Sequence, residues 1–148
     1  MKINVSSDEY GPLVRMILDD LKERGHTVQY YGPGEGEDSA DWPETTTAAV
    51  RPVARGEVEE AIVICWTGTG ASIAANKVKG IRAALCQDAA TARGARIWNH
   101  ANVLALSMRA TALPIAREIL DEWFQTNFSM DDWNKTQIER IRALESEK

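Results

Sequence analysis

The sequence predicts an α/β domain, a five-stranded parallel sheet with helices on both faces. Five short runs carry that reading: Lys2–Ser6, Thr27–Tyr31, Ala61–Cys65, Ile81–Leu85 and Ala101–Leu106. They have the length and apolar character of strands, and the third is strongly β-branched. Segments with helical spacing separate them, and strand alternating with helix at this rhythm builds parallel sheets through crossover connections. Polar or reactive side chains follow nearly every run: Asp8 and Glu9, Asp41, Cys65 and Thr67, Asp88, and Arg109. They gather at one edge of the sheet, where open parallel sheets bind ligands.

Size and charge narrow the classes. The chain has 148 residues, enough for one domain with its own core. A net charge of −5 and the absence of any basic run argue against a nucleic-acid surface. No apolar stretch approaches the roughly 20 residues of a membrane span. Met1-Lys2-Ile3-Asn4-Val5 opens directly into a strand and carries no signal-peptide pattern. Two cysteines in strand-like settings suit free thiols in a reducing, cytoplasmic compartment. No Cys/His spacing resembles a zinc site.

In chain order, Ser7–Pro12 is a strand-to-helix loop with Pro12 suited to a first helical turn. Leu13, Ile17, Leu18 and Leu21 share one face of a helix that runs to Arg24 and stops at Gly25. Gly32–Asp41 is a long acidic loop, of a length that often serves function. A second helix spans Glu44–Arg55, with Pro52 expected to kink or interrupt it. After the third strand a Gly-rich turn leads into a short helix to Lys77. Asp88 is a candidate N-cap for a helix to Trp98. Pro114–Phe128 is amphipathic through Ile115, Ile119, Leu120, Trp123 and Phe124. A charged last helix runs from Asp131 to the end, and its few apolar residues (Ile138, Ile141, Leu144) suit packing on a partner subunit. Cys86 and Trp123 read as core, His26 as solvated, and Arg93 with Arg96 as a solvated face.

Chemistry concentrates in Ala61-Ile62-Val63-Ile64-Cys65-Trp66-Thr67-Gly68-Thr69-Gly70 and the following Ala71-Ser72-Ile73-Ala74-Ala75-Asn76-Lys77. A strand, a glycine turn and a helix start present backbone N–H groups to an anion. A thiol at that position is a candidate base, since thiols at helix N-termini are more acidic than free ones. The turn is neither a Walker loop, lacking Gly-Lys-Ser/Thr, nor a dinucleotide fingerprint, since Ile73 stands where a third glycine is needed.

The stretch from Ile64 to Lys77, with Gly80-Ile81-Arg82-Ala83-Ala84-Leu85-Cys86, Asn102-Val103-Leu104-Ala105-Leu106, Arg109, Ser7-Asp8 and Asp41-Trp42-Pro43, resembles the type B ribose-5-phosphate isomerases and the related galactose-6-phosphate isomerase subunits. The likeness covers essentially the whole chain, 1–148, as one domain. It implies a Rossmann-like three-layer α/β/α sandwich and a homodimer, or a dimer of dimers, with active sites at the interface. It implies a sugar or sugar phosphate as ligand and neither metal nor organic cofactor. The reaction implied is aldose–ketose isomerisation through an enediolate. Cys65 would be the base; Thr67 and the N–H groups of Gly68, Thr69 and Gly70 would steady the enediolate oxygens. Asp8 and Asn99 match sugar-contacting positions and Arg109 a phosphate-holding one. Asp41, Trp42 and Ser72 complete the set of candidate ligand contacts.

Departures from the family pattern cluster at functional positions. Glu9 follows Asp8 where a histidine is usual. Trp98 stands at the ring-opening histidine, with His100 two residues along. Trp133-Asn134-Lys135-Thr136-Gln137 replaces an Arg-His-x-x-Arg phosphate clamp, and Trp66 replaces a glycine. The enediolate machinery is kept while ring opening and phosphate clamping are altered. The expectation is a changed substrate: a tetrose phosphate, which needs little ring opening, or a free sugar stacked on tryptophan. An inactive sugar-binding homologue, or one subunit of a hetero-oligomeric isomerase, is the alternative.

Overall fold

The computed structural model describes residues 1–147. Eleven elements alternate along the chain: β1 (Lys2–Ser7), α1 (Pro12–Glu23), β2 (Thr27–Tyr31), α2 (Trp42–Ala54), β3 (Glu60–Cys65), α3 (Thr69–Asn76), β4 (Ala83–Leu85), α4 (Ala89–Asn99), β5 (Val103–Ser107), α5 (Leu113–Gln125) and α6 (Asp132–Leu144). The five strands form one parallel sheet in the order β2-β1-β3-β5-β4.

Period-two alternation sorts the central strands between two cores. Ile62 and Ile64 of β3 and Leu104 and Leu106 of β5 point to one face, where they meet α1, α4 and α5 through Ile17, Ala92, Ile119 and Trp123. Ala61, Val63 and Cys65, with Val103 and Ala105, point to the other and meet Ala49, Val53 and Ala71 of α2 and α3. Both faces of β3 and β5 are buried, which explains runs apolar at every position rather than every second one. The result is the expected three-layer sandwich.

The order of the sheet creates its crevice. From β1 the chain steps outward to β2 on one side, while β3 lies on the other side of β1. The helix that follows β1 and the helix that follows β3 pack on opposite faces. The chain therefore splits between the carboxyl ends of β1 and β3, the topological switch point at which such sheets hold ligands.

Three local expectations are corrected by tertiary contacts. Helix α2 runs unbroken through Pro52, which sits in its last turn. The missing N–H costs one bond there, and the Pro52 carbonyl is satisfied beyond the helix by the N–H groups of Glu57 and Val58 at 2.9 and 3.4 Å. Helix α5 stops at Gln125 rather than Phe128, because Thr126 turns extended and Phe128 leaves to stack on His100 with ring centroids 4.6 Å apart. Arg96 is no solvated residue. Its guanidinium donates to Glu60 Oε2 at 2.5 Å and to the Ala101 carbonyl at 2.7 Å, between the rings of Trp123 and Phe128 at 4.6 and 4.7 Å. Trp123 Nε1 donates to the same Glu60 oxygen at 3.1 Å.

Helix α6 packs on its own chain at a few points. Ile138 and Asn134 are buried beside α4, Asp131 caps its start by accepting from Asn134 N at 2.8 Å, and Glu145 Oε1 accepts from Gly80 N at 2.8 Å. Trp133, Ile141 and Leu144 remain exposed. Between α6, α4 and β4 lies an open groove of about 1200 Å³ whose lining includes Trp98, Asn99, Trp133, Ile141 and Leu144. Helix α6 ends at Leu144, short of the expected run to the chain end, of which Lys148 lies outside the described residues.

Candidate active site

Register places the first two candidates. Ser7 of β1 pairs with Ile64 of β3, so Asp8 and Cys65 leave the sheet side by side at the switch point. Cys65 is 5% exposed and ends β3 on the α3 face. Its carbonyl accepts from Met108 N at 2.9 Å, and the Trp66 carbonyl accepts from Arg109 N at 3.0 Å and from Ser107 Oγ at 2.9 Å. The end of β5 therefore carries the ladder one residue past the sheet and holds Trp66 and Arg109 together. Both side chains are exposed. Ser107 is a residue the sequence reading missed; its signal was a polar side chain at the carboxyl end of a central strand.

The turn after Cys65 depends on Gly68. Its φ is +76°, a left-handed conformation costly for residues with a Cβ. A Cβ there would also stand 2.6 Å from Leu85 Cδ1, 2.9 Å from the Leu106 carbonyl carbon and 3.0 Å from Ser107 N. From Gly68 the helix begins at once, with Ser72 N donating to the Gly68 carbonyl at 3.0 Å. The N–H groups of Thr69, Gly70 and Ala71 precede that first helical bond and have no acceptor within the helix. They form a cradle of positive partial charge beside the thiol. Thr67 Oγ1 and Thr69 Oγ1 stand 2.7 Å apart at its rim, and Ser72 is half-buried in its first turn. The Trp42 ring lies against Gly70.

Asp8 brings an unmet acceptor. Its Oδ1 is buried without a hydrogen-bond partner among the described residues. Burial, reinforced by the neighbouring Glu9, holds its carboxyl above the usual carboxylate range against the pull of nearby backbone N–H groups. A buried acceptor without a donor is costly, so a ligand hydroxyl placed there would gain a full hydrogen bond. Glu9 is exposed, and its backbone is folded against the Ser7 hydroxyl, which donates to the Glu9 carbonyl at 2.5 Å. The acidic loop returns to the site where Ala40 N donates to the Asp8 carbonyl at 2.8 Å, which brings Asp41 and Trp42 alongside.

The two cysteines divide by environment. Burial pushes the Cys86 thiol up to about 12, and its Sγ points back to the Ala84 carbonyl at 3.6 Å. It stays a neutral core thiol at ordinary pH. Cys65, by contrast, ends β3 three residues before Gly68, the cap of the helix that forms the cradle.

One group of candidates lies elsewhere. Trp98, Asn99 and His100 precede β5, while Cys65 pairs with Ser107 at its far end. At strand rise, at least about 13 Å of sheet separates them. His100 is buried, holds a left-handed backbone at φ +48°, stacks on Phe128 and places Nε2 2.7 Å from the Ser129 carbonyl. His100, expected at the surface or an interface and among the candidate sugar contacts, is instead buried, and its ring joins α4 to the α5–α6 connection. Trp98 folds back over Gly94 of its own helix and is exposed, as is Asn99. Among the described residues no cluster of three or more His, Cys, Asp or Glu side chains is placed to hold a metal ion, and no helix is long and apolar enough to cross a membrane.

Comparisons with known proteins agree with this geometry. The family model described as Ribose/Galactose Isomerase matches residues 3–141. The chain is 35% identical to D-erythrulose-4-phosphate isomerase 2 of Mycolicibacterium smegmatis, over 98% of this chain and 97% of that one. It is 37% identical to ribose-5-phosphate isomerase B of Escherichia coli, over 97% and 96%. The solved ribose-5-phosphate isomerase B of Clostridium thermocellum superposes with a TM-score of 0.91 at 42% identity, covering 98% of this chain and 97% of that one. The thiol at the switch point, the amide cradle and these likenesses converge: the chain belongs to the ribose/galactose isomerase family and is an aldose–ketose isomerase.

Proposed function

We propose that this protein interconverts a short-chain aldose phosphate and its ketose, with Cys65 as the proton-transferring base. The observation that carries the reading is the position of Cys65 directly before the α3 cradle, beside the Asp8 carboxyl whose buried Oδ1 has no partner. The Cys65 thiolate takes the proton from C2 of the aldose. The C–H electron pair forms the C1–C2 double bond and the carbonyl π pair moves onto O1, giving the enediolate. Thr67 and the amides of Thr69, Gly70 and Ala71 stabilise that charge where it develops. Cys65 returns its proton to C1, and the hydroxyl proton of O2 passes to O1, completing the ketose. Asp8 accepts a hydrogen bond from a sugar hydroxyl and fixes the sugar relative to the thiol.

The substrate class follows from what replaces the family's ring-opening and clamping side chains. A tetrose 4-phosphate has its O4 esterified and cannot close a furanose, so it presents an open chain and needs no ring-opening acid. That suits Trp98 in place of a histidine, and Trp133 and Gln137 in place of two arginines. The 35% identical relative named as a D-erythrulose-4-phosphate isomerase supports the same class. Arg109 and the α3 amides are the anion-binding groups at this edge. The resemblance implies a homodimer with active sites at the interface, and a second copy seated on the groove beside α6 would cover Trp98 and Asn99.

The test is a comparison of kcat/KM for D-erythrulose 4-phosphate and D-ribose 5-phosphate. The expected result is a preference of about tenfold or more for the tetrulose phosphate, the scale set by a few misplaced contacts. Equal or better turnover of the pentose phosphate contradicts the substrate class.

A further inference from the structure

The Thr67 and Thr69 hydroxyls, 2.7 Å apart, share one hydrogen bond that either can donate. Each hydroxyl carries one hydrogen and two lone pairs. One hydrogen lies between the two oxygens, and the other is free to point outward. Two arrangements result: Thr69 donates to Thr67 and leaves the Thr67 hydrogen free, or the reverse. Among the described residues the bond between them is the one hydrogen bond that either hydroxyl makes. The pair owes its closeness to Gly68, whose left-handed turn folds the chain between the two threonines, the same turn that starts the helix and frees its first amides.

We propose that Thr69 is a positioning residue that aims the Thr67 hydroxyl hydrogen at the developing enediolate oxygen. The inference rests on the reading of the Cys65 mouth as the enediolate site. Negative charge growing beside Thr67 selects the arrangement in which Thr69 donates to Thr67 and Thr67 donates outward. A hydroxyl that accepts one hydrogen bond donates a stronger one, so the two-member chain stabilises the charge more than Thr67 alone. No proton changes owner, and Thr69 need not touch the substrate. The contribution grows with charge, so it belongs to the transition state rather than to binding.

The experiment is steady-state isomerisation of D-erythrulose 4-phosphate by wild type, Thr69→Val, Thr69→Ser, Thr67→Val and the Thr67→Val/Thr69→Val double variant. Valine keeps the shape and removes the hydroxyl; serine keeps the hydroxyl. Removing the Thr69 donor leaves the Thr67 hydrogen unaimed and its bond to the charge weaker, which predicts that Thr69→Val lowers kcat about three- to tenfold with KM within about twofold of wild type. Thr69→Ser restores kcat. In the Thr67→Val background, Thr69→Val adds less than about a twofold loss, because it acts only through Thr67. Losses that multiply, or a raised KM at unchanged kcat, overturn the inference and make Thr69 an independent substrate contact. A wild type that turns over the sugar beside an equally active Thr69→Val overturns the inference and leaves the isomerase reading standing. A wild type silent toward all sugar phosphates overturns both.

Discussion

The Trp42 ring covers Gly70: a Cβ built on that glycine would stand 3.1 Å from Trp42 Cε3 and 3.2 Å from Cδ2 and Cζ3. The first residue of α2 thereby walls the anion cradle made by the third strand and its helix. Trp42 is 42% exposed, so little of the core depends on it. Trp42→Ala is expected to raise KM by about tenfold, the worth of one lost apolar wall, with a change in unfolding free energy within about 1 kcal/mol. Gly70→Ala should follow it in a milder form, because the ring must move by a few tenths of an ångström. Kinetics beside urea denaturation separates the two effects.

Gly68 is a harder constraint than Gly70. Its φ of +76° and the backbone atoms of Leu106 and Ser107 both stand against a side chain there. Gly68→Ala combines left-handed strain of roughly 1–2 kcal/mol with overpacking of roughly 1–3 kcal/mol. A loss of about 2–5 kcal/mol in urea unfolding is expected. Activity should fall even where the protein remains folded, since the cradle amides turn with the glycine.

The Glu60–Arg96 pair lies under the far end of the sheet, with Arg96 stacked between Trp123 and Phe128. Burial pushes Glu60 above its ordinary range, and Arg96 and Trp123 pull it back. Arg96→Met keeps much of the stacking volume and leaves Glu60 without its cation. Breaking one side of a buried pair costs about 3–5 kcal/mol. Denaturant unfolding at neutral pH measures it. The sign with pH follows from the raised carboxyl: the folded state holds the proton more tightly than the unfolded chain, so this group's contribution to stability falls as pH rises above 4.5. The penalty of Arg96→Met should therefore shrink in acid.

His26 gives the opposite sign. It is half-buried, tilted over Phe124 at 4.8 Å, with Nδ1 3.2 Å from the Met1 amino group. Burial, then the N-terminal ammonium and Arg24, hold it below 6.5. The folded state therefore favours the neutral ring, and its contribution is complete above 6.5 and lost as pH falls through the lower folded value. Melting temperature followed from about pH 8 to about pH 5 should fall less steeply for His26→Gln than for wild type.

Legibility divided along a physical line. The β-branched run ending at Cys65, the glycines after it and the Asp88 cap are local signals, and each lies where its chemistry predicts. The switch point joining Asp8 to Cys65 followed from strand rhythm once the sheet order was known. Arg96, by contrast, resembled any surface arginine on a helix. Its partner Glu60 lies 36 residues earlier, and its stacking ring Phe128 sits just beyond the end of another helix. His100 owes its burial to the same long-range cluster. Trp98 and Asn99 close the helix that precedes β5, so in a parallel sheet they emerge at its amino end, opposite the thiol that follows β3.

Solvent-deuterium incorporation, read by NMR on D-erythrulose 4-phosphate in heavy water, reports Cys65 chemistry without depending on the direction of net turnover. Wild type should place deuterium on the carbon next to the carbonyl. Cys65→Ala should retain sugar binding and exchange about 10²- to 10⁴-fold more slowly, the range a positioned base supplies. Exchange by Cys65→Ala at the wild-type rate would show that another group moves the proton, and the role given to the thiol at the switch point would be wrong.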